Sequence, residues 1–173
     1  MILWQDSVFR GRSREDRDAH RIKDELKFFL KDNPAVDFGK YSVWDVCDVA
    51  WELSANAAEW SRALSAPVVL ESGDNGMALH VRDNGVGVEA ALGRPPVEAF
   101  ARGVTSATHK PQGRGRGLTY LCELTAGGGI LLLETGDVSV MCMNGRIAAS
   151  SKSACYIQGT AASFFFSPSF DDQ

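Results

Sequence analysis

Three groups of residues in this chain have the types and spacing to do chemistry. Glu52 and Asn56, in Glu52-Leu-Ser-Ala-Asn56, lie four apart in a segment of helical apolar period, so they share one face. A carboxylate and an amide oxygen so placed could hold Mg2+, a hard ion that takes oxygen ligands and keeps some of its water. The same pair could also be the solvated polar edge of an amphipathic helix. Asp83, in Asp83-Asn-Gly85-Val-Gly87, closes a strand pattern. Its carboxylate can accept a hydrogen bond from an exocyclic amine such as adenine N6, and glycines beside it let backbone approach a flat ring. A plain turn is the competing reading. Gly113-Arg-Gly115-Arg-Gly117-Leu118 opens a helix pattern, and Lys110, Arg114 and Arg116 bring positive charge to it. The free N–H groups and dipole of a helix start attract phosphate, and glycines let successive N–H groups converge on one anion. A flexible basic loop would have the same composition.

The chain carries an internal control for the second group. Asp-Asn-Gly occurs at 74–76 and again at 83–85. The first copy lies between two strand patterns, so a hairpin turn accounts for it. The second follows a strand but precedes none. The glycine run at 113–117 is a poor dinucleotide fingerprint, because its spacing differs and Ala107-Thr-His-Lys-Pro-Gln112 before it is not a strand. It is not a Walker A loop either, because no Gly-Lys-Ser/Thr comes after it.

These groups need elements to position them. Ile22, Leu26, Phe29 and Leu30 recur at helical spacing in the second half of a charge-rich segment, residues 10–32, and Asn33-Pro34 ends that helix. His20 reads as a surface residue of this helix. A second helix is predicted over 42–64, with Val46, Val49, Leu53, Ala57, Trp60 and Leu64 as its stripe. Ser42 would be its N-cap and Asp45 the capping-box partner. Strands are expected at 67–71 and 77–82, with Met77, Leu79 and Val81 on one face. Residues 84–112 have no clean period beyond a short helix near Val97–Ala101. Helix 118–124 stops at Gly127-Gly-Gly129, strand 130–134 comes next, and 138–143 with 146–149 form a hairpin about Asn144-Gly145. The last strand is 161–166, ended by Ser167-Pro168. The implied class is α+β, a two-layer α/β sandwich with helices on one face of a mixed, mainly antiparallel sheet.

Composition bounds the rest. With 173 residues the chain can bury one real core. A net charge of −4 argues against a general nucleic-acid binder. No apolar run approaches the roughly 18–20 residues that span a bilayer. Met1-Ile-Leu-Trp4-Gln-Asp6 lacks the features of a signal peptide, so the expected location is the cytoplasm. Cys47, Cys122, Cys142 and Cys155 are too scattered for a metal knuckle or redox pair, as are His20, His80 and His109 for a zinc site. Reduced, buried cysteines are expected.

Taken in order, the motifs resemble those of the GHKL superfamily of histidine kinase-like ATPases. That superfamily includes sensor histidine kinases, anti-sigma-factor serine kinases, type II topoisomerase B subunits, MutL proteins and ninety-kilodalton heat-shock chaperones. Glu52 to Asn56 looks like the N box, Asp83 to Gly87 the G1 box and Gly113 to Leu118 the G2 box. Gly159-Thr160 with Phe164-Phe-Phe166 and Pro168 is similar to the last box and terminal strand. The resemblance implies a Bergerat fold and one ATP-binding domain over 1–173. Within it, 1–41 would be an N-terminal strand/helix extension, 42–168 the motif-bearing core and 88–117 an ATP lid. It also implies roles. Asn56 would ligate Mg2+ on the ATP phosphates, and Glu52 would be the general base. Asp83 would read adenine N6, with Gly85 and Gly87 lining the base and Thr160 supporting it through water. Gly113, Gly115 and Gly117 would hinge the lid, flanked by Arg114, Arg116 and Leu118. Lys110 is a further candidate phosphate contact that no motif position assigns.

The chain departs from familiar members in ways that narrow the expectation. Trp60 stands where sensor kinases usually place a histidine four residues after the N-box asparagine. Residues 1–41 are too few for a two-helix phosphoacceptor module, His20 is not in a phosphoacceptor box, and no transducer domain is expected downstream. The likeness is greatest to compact stand-alone bacterial ATP-binding proteins. The expected function is Mg·ATP binding, with phosphoryl transfer to, or ATP hydrolysis acting on, a separate protein partner in bacterial signal transduction. That partner would be a phosphoacceptor or regulated factor. A homodimer is compatible with this reading; a membrane or nucleic-acid partner is not expected. The alternatives are a non-catalytic ATP-gated binding module, an anti-sigma-type regulator, and a scaffold that binds no nucleotide.

Overall fold

The computed structural model describes residues 1–9, 15–74, 76–101 and 117–166. Alternation of apolar and polar side chains builds β2 (Ser65–Gly73) and β3 (Gly76–Asp83), which pair antiparallel out to Gly73 opposite Gly76. The first Asp-Asn-Gly thus spans a tight hairpin, as its flanking strands predict, with Gly76 at φ 111°. β1 (Ile2–Phe9) adds to the outer edge of β2. On the other side of β3 lies β5 (Arg146–Phe166), and β4 (Ile130–Met143) lies beyond it. The order is β1-β2-β3-β5-β4, and every pairing among the described residues is antiparallel, where a mixed sheet was expected.

The short strands expected between 130 and 166 are two long ones. They turn at Asn144 and Gly145, whose φ angles of 52° and 75° make the primed turn that suits the twist of a hairpin. Register passes from Gly136–Ile157 to Val138–Lys152, so residues 153–156 form a bulge opposite Asp137.

Helices α1 (Glu15–Asp32) and α2 (Val43–Trp60) cover one face. Ala19, Ile22, Leu26 and Leu30 of α1, and Val46, Val49, Leu53 and Ala57 of α2, are buried, as are Val68, Leu70, Leu79, Val81, Leu131, Phe164 and Phe166 on the sheet. The opposite face carries a part-buried polar network. His80 bonds Ser163 at 2.8 Å and Glu71 at 3.1 Å, with the Phe165 ring edge-on. Arg21 ties α1 to β1 through Asp6 (2.5 Å) and the Ser7 carbonyl (2.8 Å), and also bonds Asp18 on its own helix (2.9 Å). Lys23 ties α1 to α2 through Asp48 at 2.5 Å. His20 is exposed and stacks near Trp51.

α2 starts with a full capping box: the Ser42 hydroxyl accepts from the Asp45 amide, and the Asp45 carboxylate accepts from the Ser42 amide. It ends earlier than its apolar stripe implies. The Ser61 hydroxyl donates back to the Ala57 carbonyl at 2.6 Å, and Arg62 turns to φ 60°. The chain therefore leaves the helix axis before Leu64, which is 85% exposed rather than part of the stripe. The Trp60 side chain lies outside the described residues.

The stretch without sequence period begins with a six-residue helix, α3 (Gly87–Leu92), and a 3-10 turn, Pro96–Phe100. Pro96, Ala99 and Phe100 are buried, so this first part of the expected lid packs on the core. Helix α4 (Gly117–Leu124) comes after the undescribed residues 102–116. Tyr41 locks its far end: its hydroxyl donates to the Leu124 carbonyl (3.1 Å) and accepts from the Gly129 amide (2.7 Å), while its ring packs edge-on against Phe164 and Phe166. Cys47, Cys122 and Cys142 are buried free thiols and Cys155 is exposed. Burial pushes the Cys47 thiol up to about 11, so it stays protonated and inert. No helix among the described residues is long and apolar enough to cross a membrane.

Candidate functional site

The second Asp-Asn-Gly sits where β3 ends, and its aspartate is buried where that of the first is exposed. Asp83 is buried, and its Oδ1 accepts from the Gly85 amide at 2.8 Å. Removal from water raises its pKa above the usual carboxylate range, although the Gly85 and Thr160 amides pull it back down. Thr160 is its register partner on β5.

The loop after Asp83 is closed on three sides. A Cβ at Gly85 would stand 1.7 Å from the Ser61 carbonyl oxygen, and the Val86 amide donates to that same oxygen at 2.7 Å. Gly87 has φ +78°, and a Cβ there would meet the Thr135 hydroxyl at 2.8 Å. From β5, Gly159 has φ +80°, and its Cβ would fall 2.3 Å from the Asp83 carbonyl oxygen and 2.6 Å from its carboxylate. Backbone therefore walls the carboxylate where side chains cannot fit.

Three residues that sequence reasoning missed hold this arrangement. The Thr135 hydroxyl accepts from the Val88 amide (3.0 Å) and donates to the Gly159 carbonyl (2.9 Å). The Gln158 amide donates to the Gly85 carbonyl at 2.8 Å, and Ser61 supplies the carbonyl under Val86. Thr135 falls just past the strand expected at 130–134, and nothing local marks it. Gly159, named with Thr160 in the last-box resemblance, lies before the strand expected at 161–166 but inside the longer β5.

The Glu52–Asn56 pair meets the glycine run at one described point. A Cβ at Gly117 would lie 2.5 Å from Glu52 Oε2 and 3.7 Å from Asn56 Nδ2, so the N-terminus of α4 rests on the pair. Asn56 Nδ2 is buried and has no hydrogen-bond partner among the described residues. Unpaired buried amides are uncommon, and rotation about the terminal torsion would present Oδ1 at the same place. An amide oxygen there, beside the Glu52 carboxylate, suits a hard cation held otherwise by phosphate and water. No cluster of three His, Cys, Asp or Glu with metal-binding geometry occurs among the described residues.

One helix joins the two halves. Asn56 and Ser61 are five residues apart on α2 and its cap, about 7.5 Å along a helix axis. Glu52, Asn56, Asp83, Gly85, Gly87, Gly117, Leu118 and Thr160 are placed by α2, the end of β3 and the loop after it, the start of α3, the start of α4 and β5. Leu118 is part-buried against the core. Lys110, Gly113, Arg114, Gly115 and Arg116 lie outside the described residues, as does His109. No protein-family model matches the sequence, and a search of curated proteins finds no match to it.

Proposed function

We propose that this chain is an Mg·ATP-binding domain of the Bergerat, histidine kinase-like type, which transfers the γ-phosphoryl group to a separate protein or hydrolyses ATP to switch it. One observation carries the reading. Asp83 keeps a buried, desolvated carboxylate among glycine backbone, and the same α2 that carries Glu52 and Asn56 caps its loop through Ser61. A carboxylate held so in a fold is costly, and such costs cluster at functional sites. In this reading Asp83 accepts the adenine 6-amino proton. Gly85 and Gly87 face the ring, and Thr160 supports it from β5. The N-terminal amides of α4, from Gly117 and Leu118 on, point to the phosphates, with Gly113, Arg114, Gly115, Arg116 and Lys110 leading into them.

Asn56 would hold Mg2+, with Glu52 beside it, and the ion would supply charge neutralisation at the phosphates. Glu52 takes the proton of the attacking hydroxyl or water. Phosphoryl transfer asks the protein mainly to position groups and neutralise charge, so a short helix start and a few polar side chains suffice.

Calorimetric titration with Mg·ATP tests the proposal. Saturable binding that Asp83→Asn strongly weakens supports it, and no heat at millimolar nucleotide ends it. Glu52→Ala is expected to keep ATP affinity and lose turnover. Wild-type protein that binds ATP but never turns it over, even with its partner present, would instead establish a non-catalytic ATP-gated module or an anti-sigma-type regulator.

A further inference from the structure

Thr135 is a buried hydroxyl in the middle of an otherwise apolar strand face, flanked by Leu133 and preceding the register shift at Gly136. β4 is an outer strand, and Thr135 is separated from Asp83 by β5, pairing with Thr160, which in turn pairs with Asp83. A valine there would satisfy the burial. The hydroxyl instead makes two bonds across elements: it accepts from the Val88 amide at the start of α3 and donates to the Gly159 carbonyl. A Cβ on Gly87, just before Val88, would lie 2.8 Å from this hydroxyl. A Cβ on Gly159 would lie 2.3 Å from the Asp83 carbonyl oxygen and 2.6 Å from its carboxylate, so both backbones pass close by. One oxygen atom therefore sets the separation of the two backbone segments that flank Asp83.

We infer that Thr135 is the positioning residue for base recognition: it fixes the gap between the Gly87–Val88 and Gly159 backbones, and so the placement of the Asp83 carboxylate against the 6-amino group of adenine. The inference rests on the ATP-binding reading above. Its logic is geometric. The Val88 amide is a helix-start donor with no carbonyl in its own helix to reach. Without the Thr135 hydroxyl, the Gly87–Val88 backbone loses its tether to β4, and the Gly159 carbonyl loses its side-chain donor. Asp83 keeps its own bond from Gly85 but loses its depth reference. A ligand contact that depends on carboxylate position weakens, while phosphate contacts made near α4 do not.

The experiment compares two nucleotides that differ only in the 6-amino group, Mg·ATP and Mg·purine riboside triphosphate, by calorimetry on the full chain. Wild type is expected to prefer ATP. Thr135→Val keeps the volume and removes both hydrogen bonds. It is expected to lose about tenfold in ATP affinity, with the purine riboside triphosphate changed by less than about threefold. Thr135→Ser, which retains the hydroxyl, is expected to restore the preference. Equal loss for both nucleotides in Thr135→Val, or a preference that survives it, overturns the inference. Wild type that binds neither nucleotide ends the ATP-binding reading itself, a distinct result. If Thr135→Val does not fold, hydrogen exchange of wild type decides. The Val88 amide must be protected in the free protein and gain protection with ATP but not with the purine riboside triphosphate. An unprotected Val88, or equal gains, overturns the proposal.

Discussion

Asp74-Asn75-Gly76 and Asp83-Asn84-Gly85 are one tripeptide used twice on the same hairpin, at opposite ends of β3. At the first, Asp74 is exposed, and the turn needs only that Gly76 accept a positive φ. At the second, Asp83 is buried, and Gly85 has no room for a methyl group because the Ser61 carbonyl occupies it. The difference lies outside the tripeptide. The first copy leads into a strand that hydrogen-bonds back to β2, and Asp74 stays in water. The second leads into α3 and lies between α2 and β5, so Asp83 is buried while Asn84 stays exposed, and backbone amides must satisfy the Asp83 carboxylate. A fold that buries a carboxylate against glycine backbone, with no cationic side chain bonded to it among the described residues, has kept a group that stability alone disfavours.

The largest effect is expected from the two glycines. Gly85→Ala must displace the α2 cap and should cost about 3 kcal/mol or more of stability, in the range of severe overpacking. Gly76→Ala meets an unfavourable backbone angle and should cost about 1 kcal/mol. Denaturant unfolding of both variants measures the contrast, and similar values would show that the second copy is no more confined than the first.

Next comes ligand affinity. Asp83→Asn should weaken Mg·ATP binding by roughly 10- to 100-fold, as expected for a lost charge-assisted hydrogen bond. Asp74→Asn should leave it unchanged. The asparagine can still accept from the Gly85 amide, so the free variant should unfold at the same or higher denaturant concentration than wild type. A large loss of stability would mark Asp83 as structural.

The pH dependence is smaller and has a definite sign. Burial raises the pKa of Asp83 in the folded chain above its unfolded value, so the folded state binds the proton more readily. Its contribution to stability is therefore fully present below the unfolded carboxylate value and is lost as pH rises through the raised one. The stability of Asp83→Asn relative to wild type should grow across that window. Unfolding curves at a series of pH values read this directly.

The smallest expected effect lies at the other half of the site. Gly117→Ala would press on the end of the Glu52 side chain, which can move, so about 1 kcal/mol is expected. The cost should fall in a Glu52→Ala background, and a double-mutant cycle reports that coupling. Additive losses would separate α4 from the α2 pair.

Much of this was legible in the chain itself, because it depends on neighbours in sequence. The period of Ile22, Leu26 and Leu30 made a helix. The alternation of Met77, Leu79 and Val81 made a strand, and Ser42 with Asp45 made a cap. Glu52 and Asn56 share a face because a helix has a fixed pitch, and the two copies of Asp-Asn-Gly differ in the residues on their C-terminal side, a strand pattern for one and none for the other. Tertiary structure decided what local spacing cannot carry. It ended α2 before Leu64 through a bond from Ser61 back to Ala57. It ordered residues 87–100 through the burial of Pro96, Ala99 and Phe100 rather than through any apolar period of their own. It brought Thr135, Gln158 and Gly159 to Asp83 across strands far apart in the chain. Hydrogen bonds over such separations leave no periodic trace, because either partner could be replaced locally without disturbing the helix or strand that carries it.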